Sequence, residues 1–80
     1  MVNFVYENYY LNMNAQSNGD HEVHRQSCKY YLPYRIGNNF KLIGLFSNEI
    51  DAVNRAKRLN PGIAHKIDGC AICCPMAHKR

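Results

Sequence analysis

Eighty residues allow one domain, and a chain of that length buries too little apolar surface to be robust without a crosslink, a metal or a partner subunit, so two subdomains are excluded. With 46% hydrophobic and 20% charged residues, the composition is that of a folded protein and excludes disorder throughout. The formal charge of +4 is dispersed over the chain, with its one concentration at Arg55, Lys57 and Arg58, and reads as a solvated helix face more than as a nucleic-acid footprint.

Residues 4–15 carry an aromatic and polar strand signal, in which Leu11, Met13 and Ala15 alternate with Asn12 and Asn14. Gln16, Ser17, Asn18, Gly19 and Asp20 gather the residues that tolerate left-handed backbone angles, which predicts a hairpin turn. A return strand over residues 21–25 then carries His24 near its end. Residues 27–39 are expected to be irregular, since Pro33, Gly37, Asn38 and Asn39 interrupt any period while Tyr30, Tyr31 and Tyr34 offer rings without a clear face. Residues 40–46 are mostly apolar and read as a central strand, with Gly44 marking a bulge or a close backbone approach.

Ser47 and Asn48 supply an N-cap, and Glu49 and Asp51 fall in the first turn, where carboxylates favour the positive end of the helix dipole. Ile50, Val53, Ala56 and Leu59 recur at helical spacing, with Ala52 widening the stripe, and Asn60, Pro61 and Gly62 end the helix. Residues 63–67 are expected to form a last strand, Asp68 and Gly69 a turn, residues 70–73 a knuckle closed by Pro75, and residues 76–80 a frayed tail. The order predicts a single α+β domain over residues 1–80: a small antiparallel sheet with one helix packed on one face and a C-terminal zinc knuckle.

The cysteines and histidines carry the chemistry. His24 and Cys28 offer two ligand types separated by three residues, and Cys70 and Cys73 form a C-x-x-C pair. Two thiolates at that spacing converge on one ion while the intervening N–H groups hydrogen-bond the sulfurs, and His24 with Cys28 completes a Cys3His set of the kind that closes structural zinc sites. Cys74 and His78 are alternative ligands. His21-Glu22-Val23-His24 lacks the extra residue, and the helix, of a zinc-protease H-E-x-x-H. No nucleophile triad, Gly-rich phosphate loop or carboxylate pair stands out, and four protein ligands leave zinc no open position for water, so an enzyme is not expected.

His24-x-x-x-Cys28, then Phe46-Ser47 leading to Ala52 at the start of a helix, then Cys70-x-x-Cys73-x-Pro75, resembles small zinc modules of the Ada-like type over about two thirds of the chain. These occur in bacterial alkylation-repair regulators and, with histidine as first ligand, as appendages to nucleases and other proteins. The resemblance implies His24, Cys28, Cys70 and Cys73 as zinc ligands in a free-standing bacterial relative. It does not carry the repair activity: His24 stands where the regulators have the methyl-accepting cysteine, and no DNA-binding domain follows. The aromatic N-terminal hairpin, the Ile67-Asp68-Gly69 approach and the extra Cys74 depart from the pattern.

The expected function is therefore a zinc-stabilised, non-enzymatic binding module with a protein partner favoured over nucleic acid. A thiol redox protein using Cys70, Cys73 and Cys74 and a nucleic-acid module using Arg55, Lys57, Arg58 and the tyrosines are the alternatives. No small-molecule substrate is evident. With no basic, apolar leader at the start and no membrane-spanning run, a cytoplasmic protein with reduced thiols is expected.

Overall fold

The computed structural model describes residues 5–28 and 39–79. The expectations for Phe4, Tyr30, Tyr31, Pro33, Tyr34, Gly37, Asn38 and Arg80 lie outside that range. Strands β1 (Glu7–Asn12), β2 (His21–Arg25), β3 (Phe40–Phe46) and β4 (Ile67–Gly69) form one sheet in the order β3-β1-β2-β4, and helix α1 (Glu49–Leu59) packs on it. This is the expected α+β architecture with one main helix. No helix among the described residues is long and apolar enough to cross a membrane.

β1 and β2 form the expected hairpin. Asn18 Oδ1 accepts from the Asp20 N–H, Gly19 adopts a φ of 88°, and the Gln16 N–H donates to the Asp20 carbonyl, closing the turn where the residue types allow it. The register opposes Tyr10 to His24 and Leu11 to Val23. Because side chains alternate along a strand, Tyr9, Leu11, Val23 and Arg25 share the helix side of the sheet, whereas Tyr10, Glu22 and His24 share the other.

Among the described residues β3 lies at the sheet edge and not at its centre, pairing with β1 alone, and Leu42 and Leu45 are more than half exposed. An apolar run does not distinguish a central strand from an edge strand when both its faces carry large side chains. The bulge expected at Gly44 is present: Tyr9 pairs with Gly44 and Tyr10 with Leu42, leaving Ile43 as the extra residue, and Gly44 has a φ of 147°.

Asn48 caps α1 by accepting from the Asp51 N–H at 2.9 Å, and Asn60 caps its other end, its side chain donating to the Ala56 carbonyl. The buried stripe is Glu49, Ala52, Val53 and Ala56; Ile50 and Leu59 face out, so the helix is rotated from the expected orientation. Glu49 is buried because Arg25 of β2 reaches it, which the helix-dipole reading of that residue did not anticipate. The core joins Tyr9, Leu11, Val23, Ala52, Val53, Ala56, Ile67, Cys74 and Ala77.

The strand expected over residues 63–67 is instead a 3-10 stretch, Pro61–Lys66, begun by the proline that stops α1. Asp68 and Gly69, expected as a turn, lie in β4, which pairs parallel to β2 and makes the sheet mixed. The helix and the 3-10 stretch carry the chain from one sheet edge to the other, so β4 arrives running in the same direction as β3. Gly69 is required by close packing: a Cβ there would lie 2.9 Å from both Ala77 Cβ and the Cys74 carbonyl oxygen.

The tail expected to fray is held through residue 79. Met76 N–H donates to Glu49, Lys79 N–H to Asp68, and Ala77 is buried in the core. Short local turns leave backbone groups that only these long-range acceptors satisfy.

Tyr9 is fully buried, with its ring edge-on to Phe46 and beneath the Arg25 guanidinium, yet its hydroxyl has no hydrogen-bond partner among the described residues. Burial pushes the phenol up to about 12. Leaving a buried donor unsatisfied costs about 1–3 kcal/mol, so Tyr9→Phe is expected to raise stability by about 1 kcal/mol, read as a higher denaturation midpoint at unchanged slope.

Candidate metal centre

Two separate stretches of chain bring His24, Cys28, Cys70 and Cys73 together, with their ligand atoms all within 4.8 Å of one another. β2 orients His24 away from the helix; the turn after β2, closed by the Cys28 N–H on the Arg25 carbonyl, returns Cys28 beneath it. β4 delivers Cys70, whose N–H donates to the Val23 carbonyl, and the following turn is closed by the Cys74 N–H on the Cys70 carbonyl. That turn aims the Ile72 and Cys73 N–H groups at the Cys70 sulfur, and the Arg25 N–H donates to Cys73 Sγ at 3.3 Å. Each of these donors stabilises sulfur as thiolate.

His24 Nδ1 lies 3.5 Å from Cys28 Sγ and 4.0 Å from Cys73 Sγ. Metal–sulfur bonds near 2.3 Å and metal–nitrogen bonds near 2.0 Å at tetrahedral angles place N and S about 3.5 Å apart, so the donor set fits a four-coordinate ion. Nδ1 therefore points at the centre, while Nε2 faces Glu22 Oε1 at 3.4 Å. A carboxylate behind a ligating imidazole fixes its tautomer and raises its basicity.

Burial holds the His24 imidazole at about 4, so it is neutral and able to ligate at neutral pH. Burial pushes the Cys70 thiol up to about 12, and the neighbouring Cys74 thiol together with burial pushes Cys73 up as well. A cation at the centre reverses that preference, because a coordinated thiol is deprotonated. Burial also raises the Glu22 carboxyl, against the hydrogen bond from Gln16.

The depressed histidine predicts a pH dependence with a definite sign. Between the unfolded value near 6.5 and the folded value near 4, the unfolded chain binds a proton that the folded chain does not, so stability is complete above the first and is lost as pH falls toward the second. Protons also compete with metal for the same ligands, in the same direction. Denaturant titrations at about pH 7.5 and about pH 5 are expected to show a lower midpoint at the acid value, and equal midpoints would contradict the buried neutral imidazole.

The two alternative ligands lie elsewhere. Cys74 is fully buried in the helix-side core, its sulfur 3.6 Å from Cys73 Sγ, because adjacent residues leave the turn in different directions. His78 Nδ1 is 2.9 Å from the Gly69 carbonyl oxygen and 3.1 Å from Asp68 Oδ2, holding the C-terminal segment to β4. Neither belongs to the cluster.

Two contributors escaped the sequence reading. Glu22 stands two residues before His24, a spacing that puts both on one sheet face once the segment is taken as a strand. Arg25 carries no such signal: its Nε donates to the Cys73 carbonyl at 2.8 Å, while its two terminal nitrogens reach Glu7 at 3.2 Å and Glu49 at 2.7 Å. No protein-family model, curated protein or solved structure matches this chain.

Proposed function

We propose that the chain is a zinc-stabilised binding module, non-enzymatic and cytoplasmic, in which the ion is an architectural element joining β2 to the C-terminal turn. The convergence of four nitrogen and sulfur donors from two distant stretches of an 80-residue chain supports this reading. Three cysteines and one histidine suit zinc over the hard cations, which take oxygen ligands. The Ada-like resemblance adds the same four residues and no activity. Four protein donors complete a tetrahedron and leave no position for an activated water.

The thiol redox alternative requires a thiol of lowered pKa, whereas Cys70 and Cys73 are shifted upward. Elemental analysis of protein purified without added metal tests the reading. One zinc per chain is expected, and substantially less would overturn it.

A further inference from the structure

An open groove of about 360 Å³ lies against the metal centre, and its lining mixes polar and apolar side chains. Asn12, Gln16 and Glu22 supply the polar lining; Phe40, Ala71 and Ile72 supply the apolar lining, and Ile72 is 57% exposed. His24 and Cys70 of the candidate centre line it as well.

The charge on this groove is opposite to that of the chain. Three thiolates, a neutral imidazole and a divalent ion sum to about −1. Glu22 adds a carboxylate beside it, 3.4 Å from His24 Nε2. The formal charge of the whole chain is +4. An anion is therefore disfavoured here, and a purely apolar ligand would leave the polar lining desolvated and unpaired.

We propose that the groove takes the side chain of a lysine presented by a partner protein, with the methylene stem along Phe40 and Ile72 and the ammonium at Glu22. The proposal rests on the binding-module reading and names the chemistry of its partner. Glu22 and Gln16 line the groove together, and a lysine ammonium has three donors to distribute among separate acceptors. Guanidinium is the poorer match: the bidentate pairing that favours it over ammonium is not open at Glu22, whose Oε1 already faces His24 Nε2. The Phe40 ring gives the cation a further attractive surface.

The test is an NMR titration of the zinc-loaded full chain with acetylated, amidated Gly-Lys-Gly and with the same tripeptide carrying norleucine for lysine. Zinc content is measured on the same samples. Lysine peptide is expected to shift the amides of Gln16, Glu22, Ala71 and Ile72, with the norleucine peptide at least about tenfold weaker because it lacks the charge-assisted hydrogen bonds. Glu22→Gln removes the counter-charge, and Gln16→Lys supplies a competing ammonium from the hairpin without touching a candidate ligand. Each variant is expected to bind the lysine peptide at least about tenfold more weakly than the parent.

Equal binding of the norleucine peptide, shifts mapping away from the groove, or a zinc-loaded Gln16→Lys protein that binds like the parent would overturn the proposal. A parent protein that carries one zinc and ignores the lysine peptide overturns the groove assignment and leaves the metal module standing. A folded parent without zinc overturns both.

Discussion

Cys70→Ser is expected to abolish cooperative folding along with metal binding, and a chelator is expected to do the same to the parent chain. Cys70 is buried, and its sulfur is the focus of two backbone N–H groups. Removing it leaves three ligands and an open position filled by a weaker oxygen donor. Structural zinc sites contribute about 10–16 kcal/mol of apparent binding free energy in small domains, against a net stability of about 5–15 kcal/mol for typical proteins. A chain of 80 residues has little reserve to offset that loss. The contrasting substitution is Cys74→Ala, which removes a sulfur from the core and not from the cluster. It is expected to retain one zinc and to cost about 1 kcal/mol, the middle of the range for single substitutions. Circular dichroism, thermal melts and zinc content on the same samples distinguish the two. A Cys70→Ser protein that melts like the parent would end the architectural reading of the ion.

The elements set by local chemistry were legible in the residues. The turn around Gly19, the bulge at Gly44 and the cap at Asn48 each depend on one residue whose backbone or side-chain preference is strong. The four clustered donors were legible for a related reason: ligand types at short spacing have few other uses when several occur near one chain end. What failed was long-range. β3 reads as central and lies at an edge, and β4 runs on through Asp68 and Gly69, where a turn was expected, because apolar content does not encode strand order or direction. The rotation of α1 follows from Arg25, whose reach to Glu49 draws a carboxylate into the face expected to hold Ile50 and Leu59. Cys74 and His78 looked like ligands because spacing alone does not say which side of a turn a side chain leaves from. Glu22 becomes visible only when strand alternation is applied to His24.

Arg25→Ala is expected to cost about 3–5 kcal/mol, the range for removing one partner of a buried ion pair and leaving the other charged. Arg25 binds Glu49 at 2.7 Å, and the Glu49 side chain is 7% exposed. Without the guanidinium, Glu49 still accepts from the Met76 N–H but has lost its counter-charge. The same substitution removes the hydrogen bond to the Cys73 carbonyl and uncovers the Tyr9 ring, so the helix, the sheet and the cysteine turn lose a shared tie. Glu7→Gln separates the terms, since Glu7 bonds Arg25 at a longer 3.2 Å from a more exposed position, and a loss of about 1 kcal/mol or less is expected there. Replacing both buried charges, as Arg25→Met with Glu49→Leu, is expected to recover part of the Arg25→Ala loss, because two apolar side chains carry no desolvation penalty. Recovery stays incomplete because Met76 N–H and the Cys73 carbonyl remain without their side-chain partners. Chemical denaturation of the zinc-loaded variants measures all three. An Arg25→Ala midpoint within error of the parent would show that the pair is screened by solvent and adds nothing measurable to the tie between the C-terminal turn and β2.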